Sequence, residues 1–285
     1  MDMITDFNKA VEYMEQHMTD KIDIEATAVI TGCSAYHFQR MFSYLANMPL
    51  SEYIRRRKMS LAQADIQSGE KILDVALKYG YESPTAFNRA FKAILGITPS
   101  ALKKKGAVLK AFSPIHFSLS VTGGEELSFR IEKKDAFTIA GISVELVNDL
   151  EMNFATIPKM WMKASLLGTV KKVLALQDNP FVPGLLGVSI PDSNDTWRYY
   201  IASAIGNRTQ AASEKFEIAN IPSFTWAIFS GKGTNRDIQV LEQRIVKEWL
   251  PSSGYEYDNG PDVEVYLSPD PKKAVFEVWI PVVKK

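Results

Sequence analysis

With 285 residues, of which 46% are hydrophobic and 11% aromatic, the chain carries enough apolar surface for two independent cores, and two domains are expected. A formal net charge of zero, one cysteine and three histidines exclude a nonspecific polycation, an intrachain disulfide and a Cys/His zinc set, which leaves Cys33 as a small buried apolar residue. No apolar run reaches the ~18 residues of a membrane span, and the first residues carry acids where a signal peptide is basic and then apolar, so a cytoplasmic protein with no membrane partner, metal or cofactor is expected.

From residue 6 to about 105 the apolar positions repeat every three to four residues, as in Phe7, Val11 and Met14, then Phe38, Met41 and Phe42, then Phe87, Phe91 and Ile94, which predicts an all-helical first part. Breakers at Gly32, Pro49, Gly69, Gly80 with Pro84, and Gly96 with Pro99 divide it into about seven short helices. Two segments share one order of supporting helix, glycine turn, serine cap and second helix. In IEATAVITGCSAYHFQRMFSYLAN, Ile24, Ala28 and Val29 are expected to pack, Gly32 turns and Ser34 caps, leaving Tyr36, Gln39 and Arg40 outward. In ILDVALKYGYESPTAFNRAFKAILG, Val75, Ala76 and Tyr79 pack, Gly80 turns, Ser83 caps and Pro84 takes the first helical position, so that Thr85, Asn88 and Arg89 face out. Arg pairs bidentately with guanine, and Gln or Asn with adenine, so both faces carry competent base readers for double-stranded DNA. The competing reading is that Arg40 and Arg89 only form surface ion pairs. The run Arg55-Arg56-Arg57-Lys58 points around a helix, so Arg55 and Arg56 are phosphate candidates while the rest pair with Glu52 or Asp65. Ser34, Ser83 and Lys92 are further phosphate candidates. Residues 1–110 hold 15 Lys+Arg against 12 Asp+Glu and the remainder 18 against 21, the sign expected if only the first part meets phosphates.

These two units, the intervening YIRRRKMSLAQADI and the stretch GYESPTAFNRAFKAILGITPSAL resemble the AraC/XylS family of transcription regulators. The resemblance covers about residues 6–105, with Asn47 where the family usually has Gly. It implies that Tyr36, Gln39 and Arg40, and then Pro84, Thr85, Asn88 and Arg89, read two adjacent major-groove segments.

Beyond Lys103-Lys104-Lys105-Gly106 the period changes to two, and a linker over 109–124, ending Thr122-Gly123-Gly124, is expected between domains 1–108 and 125–285. The second domain repeats itself: each copy reads strand, strand, helix, strand, strand. A tandem strand-helix-strand-strand repeat predicts an α+β fold, one antiparallel sheet with both helices on one face and a concave site. In the last strand, AVFEVWI, Glu277 lies beside Trp279, a pairing suited to a cationic ligand, with Trp226, Tyr255, Tyr257 and Tyr266 extending an aromatic wall. Alternatively, Glu277 faces water or pairs with a lysine. The paired repeat and its ending FEVWIPV resemble the gyrase-inhibitor-like ligand-binding domain of multidrug-responsive regulators, which implies that Glu277 takes a cationic, often hydrophobic, effector. RNA polymerase is a further candidate partner. A small-molecule hydrolase and a sequestering binding protein are the alternatives, although no Gly-x-Ser-x-Gly or His-Glu-x-x-His motif supports an enzyme.

Overall fold

The computed structural model describes residues 3–103, 110–118, 126–147, 150–192, 196–206, 211–212, 214–268 and 274–285. The linker signals Lys104-Lys105-Gly106 and Thr122-Gly123-Gly124 lie outside these residues. The chain divides into two units, Met1–Ser120 and Val121–Lys285.

The regular elements described in the first unit are all helical: α1 (Met3–Gln16), α2 (Ile24–Ile30), α3 (Ala35–Ala46), α4 (Leu50–Gln67), α5 (Ile72–Lys78), α6 (Pro84–Leu95) and a 3₁₀ turn, Pro99–Lys103. The turns that follow α2 and α5 are built alike. After α2, Gly32 takes φ +70° and the Cys33 N–H reaches back to the Ala28 carbonyl at 3.3 Å. After α5, Gly80 takes φ +82° and the Tyr81 N–H bonds the Ala76 carbonyl at 2.9 Å. Each turn closes the preceding helix in a left-handed conformation that glycine adopts without a Cβ penalty. Ser34 then accepts from the His37 N–H at 3.2 Å and Ser83 from the Ala86 N–H at 3.1 Å, so both second helices start on a serine cap. Asn47, at φ 52°, ends α3 as Gly96, at φ 81°, ends α6; asparagine is among the few side chains that tolerate this region.

Two packing expectations are corrected. Val29 is 77% exposed, because the two-turn α2 buries Thr27 and Ala28 and one further residue turns ~100° away. Cys33 is half-buried rather than buried, since it sits in the turn and not on a helix face.

The second unit comprises β1 (Phe129–Lys134), β2 (Phe137–Leu146), α7 (Leu150–Leu166), α8 (Thr169–Leu174), β3 (Leu185–Pro191), β4 (Trp197–Ile205), β5 (Glu217–Ile221), β6 (Phe224–Gly233), α9 (Asn235–Arg244), β7 (Tyr255–Tyr257), β8 (Asp262–Tyr266) and β9 (Ala274–Lys284). A turn of π-helix, Ile245–Trp249, extends α9. The antiparallel sheet runs β1-β6-β9-β8-β3-β4-β2-β5, with β7 paired to β9. Both copies of the repeat are present, but each places its first strand on the other copy: β1 pairs β6, and β5 pairs β2. The halves meet where β3 pairs β8.

The two sheet faces differ. One carries a contiguous apolar cluster that includes Ile139, Leu186, Val188, Tyr200, Trp226, Ile228, Val263, Val265 and Trp279. The other receives the helices, as Ala140 and Ile205 pack with Leu176, and Phe229 meets the Trp249 ring edge-on at 5.0 Å. Strand alternation therefore decides which chemistry each side chain enters.

Candidate nucleic-acid interface and effector site

On α6, Pro84, Thr85, Asn88 and Arg89 are all exposed, as is Lys92 one turn on. The buried stripe Phe87, Phe91 and Leu95 turns these polar residues outward. On α3, Tyr36, Gln39 and Arg40 are half-buried. Gln39 donates to the Ala35 carbonyl at 3.3 Å, and Arg40 donates through Nε to the Tyr44 hydroxyl at 3.2 Å with its guanidinium 5.7 Å from that ring. The first helix thus presents a side chain already braced by its neighbour, and the second presents a fully exposed row.

The basic run divides as its geometry requires, with partners that are partly different from those expected. Arg55 and Arg56 both bond Glu52, the latter at 2.6 Å. Arg57 is buried and pairs with Glu15 of α1, at 2.8 Å from Nε and 2.6 Å from Nη2, while Lys58 donates to the Asp20 carbonyl at 3.2 Å. Asp65 takes no member of the run; it accepts from the Tyr79 hydroxyl at 2.7 Å and pairs with Lys78 at 2.9 Å.

In the second unit the ligand candidates fall on opposite faces of the sheet. Glu277 lies opposite Val265 and Glu264 opposite Val278, so the two carboxylates point apart. Glu277 and Trp279 share the face of the apolar cluster. There Arg130 holds Glu277 with two bonds, at 2.8 and 3.3 Å, and the Trp279 indole donates to it at 2.8 Å. Lys134 lies 4.9 Å above the Trp279 ring. Trp226 is fully buried against Trp279, with ring centroids 5.8 Å apart. Tyr255 stacks on Trp249 at 6.0 Å, and the Tyr257 hydroxyl donates to Asp262.

Among the aromatic residues read from the sequence, Tyr266 meets Glu264 on the helix face. Its hydroxyl donates to that carboxylate at 2.7 Å, and the Tyr199 hydroxyl donates to the same oxygen at 3.4 Å. The Trp161 indole of α7 donates to the Tyr199 hydroxyl at 2.8 Å, and its ring meets Tyr266 edge-on at 5.1 Å. Gly187, which pairs with Glu264 across β3 and β8, makes this convergence possible. A Cβ there would lie 2.3 Å from the Tyr199 hydroxyl and 2.8 Å from the Glu264 carboxylate. Burial, reinforced by the charge of Glu264, pushes the Tyr266 phenol well above its ordinary range, and buried Glu242 of α9 adds to the same negative field. The phenol therefore stays a donor. A carboxylate walled by Trp161, Tyr199 and Tyr266 offers a cation both charge and aromatic faces.

Residues 27–105 match a family model described as a helix-turn-helix domain, and residues 130–282 one described as an integron-associated effector binding protein. The regulatory protein SoxS of Salmonella typhimurium is 34% identical over 91 residues, 32% of this chain and 85% of SoxS. The chain belongs to the AraC-type transcription regulators that carry an effector-binding domain. The regulator is also 38% identical over 89 residues to the HTH-type transcriptional activator AarP of Providencia stuartii, spanning 31% of this chain and 66% of AarP. Among solved structures it is similar to SAV2435 bound to tetraphenylphosphonium, at 20% identity over 55% of this chain and 94% of that one, with a TM-score of 0.47.

Sequence reading did not single out the regulator's Glu264 or Tyr199. The signal was present in Asp262-Val263-Glu264-Val265-Tyr266, whose strict alternation sets two carboxylates and a phenol on one face and two valines on the other.

Proposed function

We propose that the regulator reads two adjacent major-groove segments with α3 and α6, and that an aromatic cation held at Glu264 changes its affinity for DNA. The repeated turn and cap geometry supports the first part, since it delivers two similar helices with Arg40 and Arg89 on their outward faces. The carboxylate ringed by Tyr266, Tyr199 and Trp161 carries the second. Glu277 is proposed instead as the anchor of an ion-pair ladder with Arg130 that closes over Trp279. The exposed Ser83 and Lys92 remain phosphate candidates, as do Ser34 and, if they can leave Glu52, Arg55 and Arg56. The names of SoxS and AarP support regulation rather than hydrolysis, and a regulator bound beside a promoter would also meet RNA polymerase.

Arg40→Ala and Arg89→Ala are each expected to weaken binding by about 1–3 kcal/mol, the range for losing one base contact. The measurement is fluorescence anisotropy at fixed salt, on a duplex that the wild-type protein selects from a randomised library. Wild-type affinity in both variants ends the two-helix reading. For effector control, saturating tetraphenylphosphonium is expected to change the affinity for that duplex at least about fivefold, the lower end of usual allosteric coupling. Identical affinity with and without the cation refutes it.

A further inference from the structure

Residues 110–118, read from the sequence as part of the linker, are fastened to the helical unit along their length. The Asn8 side chain brackets Phe117, accepting from its N–H at 2.8 Å and donating to its carbonyl at 2.9 Å. The Phe117 ring is 7% exposed, 6.1 Å from Phe7 and 5.7 Å from Phe42. Two residues back, the Ile115 N–H donates to the Tyr53 hydroxyl at 3.4 Å. Further back, the Phe112 N–H donates to Ser60 at 2.8 Å, Arg57 donates to the Phe112 carbonyl, and Arg56 lies 5.2 Å over the Phe112 ring.

The two aromatic rings enter different cores. Phe117 joins Phe7, Phe38 and Phe42 around the first helix-turn-helix. Phe112 packs on the second, which is built from Met59, Val75, Ala76, Phe87 and Phe91. The helix α4 is the covalent connection between these cores, and the segment runs back along it as a second connection. Five residues of extended chain span at most about 16–18 Å, so neither core can swing away from the other without withdrawing either buried Phe117 or half-buried Phe112. The bonds given above to this segment's backbone come from side chains of α1 and α4, so single substitutions can loosen it while leaving every helix intact.

We infer that residues 110–118 form a strap that sets the spacing and angle of the two reading helices, with Phe117 and Phe112 as positioning residues for DNA recognition. The inference rests on the two-helix reading proposed above. A protein that meets two groove segments at once binds well only if its spacing matches theirs, about 34 Å per helical turn. Loosening the strap exchanges a preset geometry for one that must be ordered on binding, which lowers affinity and relaxes the spacing requirement.

The test uses full-length protein and the library-selected duplex, footprinted on wild type, beside a derivative with one base pair inserted between the two protected segments. For wild type the insertion is expected to lower affinity about tenfold or more, or about 1.4 kcal/mol. Folded Phe117→Ala is expected to bind the parent duplex several-fold more weakly and to lose most of the insertion penalty, while Phe117→Leu restores both. If Phe117→Ala does not fold, Asn8→Ala decides, because it removes two hydrogen bonds and leaves the aromatic core in place. A folded variant with the wild-type insertion penalty overturns the strap while leaving the two-helix reading standing. A footprint with only one protected segment overturns both.

Discussion

Glu264→Gln lowers affinity for tetraphenylphosphonium about ten- to a hundredfold, while Glu277→Gln changes it less than about twofold. An ion pair at ~5 Å and an effective dielectric of ~20 contributes about 3 kcal/mol. Part of that is offset by desolvating the carboxylate, which leaves roughly 1.5–3 kcal/mol, or a ten- to hundredfold change in affinity. Glutamine is nearly isosteric with glutamate and its carbonyl can still accept from Tyr266 and Tyr199, so the ring walls are expected to survive the loss of charge. The probe is a permanent cation that donates no hydrogen bond, so the difference reports charge and aromatic contact rather than a donor lost to the amide. Glu277 is the control because its carboxylate lies on the opposite face and is neutralised by Arg130. Calorimetric titration of both variants, with circular dichroism to confirm folding, makes the comparison. A larger loss from Glu277→Gln would move the site to the other face, and a wild-type protein that does not bind the cation would end the aromatic-cation reading.

Arg57→Met destabilises the helical unit by about 3 kcal/mol. Arg57 is 8% exposed and its guanidinium serves three acceptors: both Glu15 oxygens and the Phe112 carbonyl. Glu15 is also the acceptor of the Tyr53 hydroxyl at 2.7 Å. Removing one partner of a buried pair typically costs about 3–5 kcal/mol, because the other charge is left desolvated. The loss here falls at the low end, since Glu15 keeps Tyr53 and some contact with water. Replacing both partners, as Glu15→Leu with Arg57→Met, should recover most of the loss, because neither charge is then stranded. Urea denaturation followed by circular dichroism measures both variants. A single variant within about 0.5 kcal/mol of wild type, the range of ordinary surface substitutions, would show that Arg57 is a surface charge like Arg55.

Two features divide what was legible from what was not. Both helix-turn-helix units are legible in the amino-acid order itself, because a serine cap, a glycine turn and an apolar stripe each depend on residues within a few positions of one another. The switch of period between the two parts belongs to the same class. The basic run is intermediate: that its charges point apart follows from 3.6 residues per turn, but that Arg57 reaches Glu15, 42 positions away, does not.

The proposed effector site shows the limit most clearly. The sequence alone determined that the second part is an antiparallel sheet of two copies, and that Glu277 shares a strand face with Trp279. Whether that face meets helices or the apolar cluster was decided by tertiary structure. It depends on the register of β8 against β9 and β3, and on each copy sending its first strand to the edge of the other. A shift of one residue in register exchanges the two faces. No local pattern encodes that choice, because the hydrogen bonds that set it join residues far apart in the chain. The strap was hidden for the same reason. Residues 110–118 have neither helical nor strand periodicity, and their order comes from Asn8, Tyr53, Arg57 and Ser60, which only the folded helices bring alongside.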